Sequence, residues 1–318
     1  MADRVLLRLH ASGLRTAIAL ELTVPLDPEA TTLGGIALSN SLERPWNEQL
    51  LARGDDDIWR TPTKRLVSYP DEGSQNCFAL EDGSFWFAHR NRVVADALLT
   101  LMPPPARMLD IGGGNGYVAR GLEAAGYAVT LLEPNETGSR NARARGIADV
   151  ICATFEPSLF IPGRFRIAGL FDVIEHIEDD AGTLSGVRSI LPPGGLVVLT
   201  VPAFQSMFSA DDVLSGHFRR YTRKMMSALL RTSGFEILRV SYFMAPLALP
   251  VLLVRALPAR LGVRPRWNQQ RHDRDHGKGS VLAPLATAIL AAEARFLARG
   301  GQLPFGTSCL AIGRVPIG

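Results

Sequence analysis

The chain has 318 residues, 47% hydrophobic and 20% charged, a globular composition that excludes a disordered chain. At about 150 residues per domain, that length gives two domains or one enlarged domain. The net charge of +3, from 34 basic and 31 acidic residues, is too weak to mark a nucleic-acid-binding protein.

Residues 1–80 read as an N-terminal extension, in which Pro25, Pro28, Gly34, Gly35 and the run Asp55-Asp56-Asp57 interrupt short apolar pieces. From Phe85 the apolar residues Val93, Val94, Ala97, Leu98 and Leu101 recur at helical spacing until Pro103 stops them. Strands are predicted at 108–111, 128–132, 148–152, 167–171 and 196–201, and helices at 118–125 and 181–191. Strands alternating with helices imply βαβ units. The expectation is an α/β fold, a Rossmann-like doubly wound and mostly parallel sheet over 81–240. Residues 241–318 read as a C-terminal helical cap: apolar and proline-broken at 243–261, charged at 264–278, alanine-rich and helical at 281–298.

Cys77, Cys152 and Cys309 lie far apart without CxxC or Cys/His spacing, so neither a disulfide framework nor a structural zinc site is expected. His272 and His276 share i, i+4 spacing, but their charged neighbours and Gly277 read as a solvated loop. No metal ligand is assigned. Asp3, Arg4, Arg8 and Arg15 break the N-terminal apolar runs before a signal sequence could form. The longest apolar stretch, 243–254, falls short of the ~20 residues that span a bilayer. The expectation is a soluble cytoplasmic protein. The segment 243–261, with Arg264, Arg266, Arg271 and Arg274 after it, would serve as a lid over an apolar pocket or as a peripheral contact with an anionic inner membrane surface.

The sharpest motif is Leu109-Asp110-Ile111-Gly112-Gly113-Gly114-Asn115-Gly116, a strand running into a glycine turn. Glycines there accept positive φ and let the backbone approach a ligand closely. A dinucleotide fingerprint would need a further glycine where Tyr117 stands, which disfavours a nicotinamide-dependent oxidoreductase. Glu133, ending the next strand, is placed to accept both hydroxyls of a ribose. Together these features point to an adenosine-containing ligand.

With Phe171-Asp172-Val173-Ile174-Glu175-His176-Ile177, the Pro192-Pro193-Gly194-Gly195 turn and Gly216-His217-Phe218-Arg219-Arg220-Tyr221, the sequence resembles the class I S-adenosylmethionine-dependent methyltransferases over about residues 80–240. Among these it is similar to the ubiquinone-biosynthesis O-methyltransferases and the type 11/12/23 groups. The resemblance implies S-adenosylmethionine as cofactor and a cofactor site of Asp110, Gly112, Gly114, Asn115 and Gly116 in the turn. It adds Glu133 at the ribose, Thr154 beside the adenine, Phe171 through its backbone and Arg92 at the methionine carboxylate. Arg166 departs from the family, standing where a Phe-Asp pair usually opens the fourth strand; Asp172 supplies a carboxylate at that strand's other end.

Methyl transfer is an in-line displacement, so the enzyme positions two reactants and removes a proton where one must leave. His176, following the fourth strand, is the expected base, with Asp172 or Glu175 orienting it. His217, Arg219, Arg220 and Tyr221 suit an anionic acceptor, because guanidinium pairs bidentately with carboxylate or phosphate. Phe85, Trp86, Phe87 and His89 would close over the site or seal a core. The expected acceptor is a small-molecule, lipid-like or peptide nucleophile methylated on O, less readily on N or C. A non-catalytic cofactor-binding scaffold is the alternative.

Overall fold

The computed structural model describes residues 44–62, 78, 80–251 and 283–318. The expectations for residues 1–43, Cys77, 252–282, His272, His276 and the arginines 264–274 lie outside the described residues.

Short leucine- and valine-rich runs, too brief for helices, make the centre of the sheet: β3 (Arg107–Ile111), β4 (Ala128–Leu132), β5 (Asp149–Cys152), β6 (Ile167–Phe171) and β7 (Leu196–Pro202). They run parallel in the order β5-β4-β3-β6-β7. Successive side chains face opposite sides. Leu109, Leu132, Ile151, Leu170 and Leu199 enter one core, while Met108, Leu131, Val150, Ile167 and Val198 enter the other. Strand order reverses between β3 and β6, so a crevice opens beyond their carboxyl ends.

Helices α1 (Phe85–Leu101), α2 (Tyr117–Ala124), α3 (Glu136–Ala144) and α4 (Asp180–Ile190) accompany these strands. Three have side-chain caps: Ser84 accepts from Trp86 N, Asn135 from Gly138 N and Asp179 from Gly182 N. Helix α3 escaped the sequence reading because its buried face is Gly138, Ser139 and Ala142, with no apolar stripe to betray it.

The flanks correct the expected domain limits. β1 (Ala52–Arg53) and β2 (Ile58–Arg60) belong to the sheet, β2 pairing parallel with β5, so this part of 1–80 is not a separate extension. Beyond β7 come α5 (Ala210–Leu214), α6 (Arg223–Thr232), β8 (Glu236–Phe243), α7 (Ala245–Val251), α8 (Ala283–Ala298) and β9 (Ser308–Arg314). The boundary expected at 240/241 falls inside β8. Helix α8 packs against α1 as a cap would, but β9 lies between β7 and β8, antiparallel to both. The C-terminal segment therefore completes the sheet rather than only covering it. Cys309, Leu310, Ala311 and Ile312 are all fully buried, so β9 carries no polar–apolar alternation to announce it. Among the described residues no helix is long and apolar enough to cross a membrane.

Gly306, entering β9, lies so close to the backbone of Phe243 that a Cβ there would overlap the Phe243 carbonyl. Gly306→Ala is expected to lower stability by about 1–3 kcal/mol through overpacking. A urea midpoint unchanged by the substitution would show that the β8–β9 approach tolerates a methyl group.

Candidate active site

Where β3 ends, Gly112 N and Gly113 N both donate to the Leu132 carbonyl, at 2.7 and 3.2 Å, which folds the chain back across β4. Gly112, Gly114 and Gly116 have φ of +68°, +54° and +77°. Their neighbours separate their roles. A Cβ on Gly116 would meet Ala142 at 3.0 Å, so this glycine lets α2 pack on α3; one on Gly112 would strike Val173 at 2.8 Å. At Gly114 nothing lies within 4 Å of that position. The middle glycine faces open space.

Glu133 braces the turn. Its carboxylate accepts from Gly114 N and Asn135 N, each at 2.8 Å, and burial pushes its pKa up to about 7. Asp110 is wholly buried with neither oxygen hydrogen-bonded; burial drives it up to about 7 against the pull of the Arg90 charge. Thr154 is half-buried just after β5, and Phe171 is buried at the end of β6. The Asn115 side chain is engaged within the protein. Its carboxamide donates to Glu81 Oε1 at 3.3 Å and accepts from Asn141 at 2.9 Å, so it ties the turn to its neighbours.

Arg92 differs from expectation, pointing outward on α1 beside Asp96 at 3.4 Å with about half its side chain exposed (52%). Arg90 takes the inward place. It donates to Asp172 Oδ2 and lies over the rings of Trp86 and Phe87, at 5.2 and 5.1 Å. The signal was in the helix period: Arg90, Val93, Val94, Ala97 and Leu98 share the buried face of α1, and Arg92 does not. The aromatic run thus forms a wall around Arg90, with Phe87 continuing edge-on to Tyr117 at 5.9 Å. His89 is buried against Glu293 at 2.7 Å, tying α1 to α8.

Asp172 follows β6 at φ +57°, its backbone N donating to the Thr200 carbonyl at 2.8 Å and its Oδ1 accepting from Thr200 Oγ1 at 3.2 Å. Glu175 and His176 lie in the single helical turn beyond it. Glu175 is fully buried with both oxygens unpartnered, and burial, then Asp172, drives its pKa well above the usual carboxylate range. His176 packs edge-on against His217 with ring centres 4.6 Å apart. Burial, then the His217 charge, lowers His176 to about 4, so its imidazole is neutral at pH 7 and a weaker base than the sequence suggested.

The expected anion-binding arginines already have partners. Arg219 pairs with Asp180 at 2.9 Å and donates to the Glu178 carbonyl; Arg220 grips Asp212 at 2.7 and 2.9 Å. The Tyr221 hydroxyl, in a side chain 1% exposed, donates to Asp180 at 2.8 Å. Arg219 and Tyr221 fasten the segment after β7 to α4, and Arg220 ties it to α5. His217 Nδ1 also joins Asp212, at 2.8 Å. Sequence reasoning missed Asp212, whose partners Ser209, His217 and Arg220 all lie near it in the chain, because no spacing rule marks it as their common acceptor.

Residues 86–240 match the family described as Methyltransferase domain. That span contains the glycine turn, Glu133, Arg90, His176 and His217. Just under half of the chain is thus similar to a methyltransferase domain.

A ubiquinone biosynthesis O-methyltransferase of Rhizobium leguminosarum bv. trifolii is 28% identical to this chain over 161 residues, which cover 45% of this chain and 64% of that protein. One from Azotobacter vinelandii is 26% identical over 97 residues, 29% of this chain and 42% of that protein. The chain thus spans less than two thirds of the length of these curated relatives. Phosphoethanolamine N-methyltransferase 2 of Haemonchus contortus, solved with S-adenosyl-L-methionine, superposes with a TM-score of 0.50 at 18% identity, over 79% of this chain and 58% of that one. At that identity the likeness is one of fold. The methyltransferase match ends at Val240, before α8 and β9, so the helix against α1 and the strand closing the sheet are additions to the matched region.

Proposed function

We propose that this chain is an S-adenosylmethionine-dependent methyltransferase that transfers a methyl group to an oxygen of a small-molecule acceptor. The observation that carries this reading is the open position at Gly114, a cradle a Cβ would fill, flanked by the buried Glu133 carboxylate. The donor set fits the cofactor. An ionised carboxylate offers about four lone-pair sites, so two backbone N–H groups leave Glu133 room for two ribose hydroxyls. Arg90 would hold the methionine carboxylate, exchanging part of its bond to Asp172. Backbone of the glycine turn would line the chain of the cofactor, with Thr154 beside the adenine and Phe171 contacting it through its main chain.

When bound, S-adenosylmethionine supplies a methyl group activated on a sulfonium. The protein's own task is to bring an acceptor oxygen into line. His176 and His217 sit at the carboxyl end of β6, beyond the switch point, where an acceptor would enter. A neutral His176 would accept a hydrogen bond from an acceptor hydroxyl and orient it. The O-methyltransferase relatives favour oxygen over nitrogen as the acceptor atom. Lipid-like and peptide acceptors belong to the same proposal.

Isothermal titration of the full chain with S-adenosylhomocysteine tests the cofactor assignment. Binding by wild type, lost by at least tenfold in Arg90→Met and kept in Arg92→Met, is the expected result. Wild-type protein that ignores this ligand and binds NADH would overturn the reading.

A further inference from the structure

Beyond the cofactor cradle lies a group of side chains that methyl-donor binding does not use. Glu175 has zero exposure, neither of its oxygens has a hydrogen-bond partner, and it makes no ion pair among the described residues. The nearby guanidiniums are engaged elsewhere: Arg90 with Asp172, Arg219 with Asp180 and Arg220 with Asp212. What faces Glu175 is a pair of imidazoles. One donor atom from each of Glu175, His176 and His217 lies within 4.8 Å of the other two.

We propose that Glu175, His176 and His217 bind a divalent first-row transition-metal ion. Two imidazoles and one carboxylate are a donor set for Zn²⁺, Mn²⁺, Fe²⁺ or Co²⁺, whereas Mg²⁺ and Ca²⁺ take oxygen ligands. A cation there answers a buried carboxylate whose two oxygens have no side-chain partner, and burying such a group unpaired is costly. Donors about 2.1 Å from a tetrahedral ion stand about 3.4 Å apart, so modest side-chain rotation closes the cluster. The outer support is in place. Asp212 Oδ1 holds His217 Nδ1 at 2.8 Å, the carboxylate–histidine arrangement that directs the second ring nitrogen toward an ion, and the main chain of Ser215 bonds His176.

Three protein ligands leave coordination positions for an outside oxygen, and the acceptor's own hydroxyl suits them; with the ion bound, the ion takes over from His176 the orienting of that hydroxyl. That assignment rests on the methyltransferase reading; the binding of the ion does not. Sequence reasoning assigned no metal because His217 is distant in the chain from Glu175 and His176.

The test uses full-length protein stripped with chelator and titrated with Co²⁺, followed by its visible absorption, and with Mn²⁺, followed by electron paramagnetic resonance. Stoichiometric binding that weakens at least tenfold in Glu175→Gln and in His217→Asn is expected. His217 lies near the surface, so its variant keeps the test valid if the buried Glu175 variant does not fold. Asp212→Asn should weaken binding about 10–100-fold as an outer-sphere loss. Wild type that binds neither ion, or variants that bind as wild type does, would overturn the site and leave Glu175 a buried neutral acid. Titration of the same samples with S-adenosylhomocysteine separates the two ideas. Cofactor binding without metal sinks this proposal, and metal binding without cofactor sinks the methyltransferase reading instead.

Discussion

Glu133→Ala is expected to weaken S-adenosylhomocysteine binding by about 100-fold or more. Hydrogen bonds to a charged group contribute about 1.5–3 kcal/mol each, and two ribose hydroxyls would lose theirs together. The substitution also leaves the Gly114 and Asn135 N–H groups without their acceptor, so the turn loses the brace that shapes it. The effect carries a pH signature. Burial places the Glu133 pKa at about 7, and hydroxyl donors favour the ionised form, so affinity should rise as pH increases from 6 to 8 and level off above. Glu133→Gln should flatten that rise. Calorimetric titration across this pH range, on wild type and both variants, is the measurement. An alanine variant binding within a few-fold of wild type would remove Glu133 from the cofactor site.

Asp212→Ala should be the most damaging single truncation in the segment after β7. The carboxylate is 1% exposed and accepts from Arg220 at 2.7 and 2.9 Å, His217 at 2.8 Å and Ser209 N at 2.8 Å. Removing it strands a half-buried guanidinium, and breaking such a pair costs about 3–5 kcal/mol. Burial alone would raise the Asp212 pKa, but the His217 and Arg220 hydrogen bonds outweigh it and hold the group far below the ordinary carboxylate value. A lowered pKa contributes stability that is fully present above the unfolded value of about 4 and lost only as pH falls through the folded one. The deficit of the variant in urea unfolding should therefore be the same at pH 5 and pH 8. A deficit that disappears at pH 5 would contradict the ion-pair account.

The parts legible in sequence were those whose cause is local. β4 and β6 begin and end where their apolar runs do, and α1 stops just short of Pro103, because a short apolar run or a proline acts on its own neighbourhood. The glycine turn and Glu133 were legible for the same reason, since strand end, turn and next strand lie within one βαβ unit. The period of α1 also carried Arg90, which a motif-spacing argument passed over for Arg92. Other features depended on distant partners. β9 reads as a plain tail until β7 and β8 flank it, and Arg219 reads as a free charge until Asp180 meets it. Glu175, His176 and His217 become a group only when the segment after β7 folds over the carboxyl end of β6.

The place of β9 sets an order of events during synthesis. β7 and β8 leave the ribosome well before the strand that belongs between them. Until residues 308–314 emerge, the backbone edges of β7 and β8 that face each other across that gap have no ladder partner. Leu199 and Val201, fully buried in the finished protein, lie along one of those edges. Such an edge is a template for pairing with another chain. The nascent polypeptide is therefore exposed to misassembly at β7 and β8 in the interval before residues 308–314 emerge.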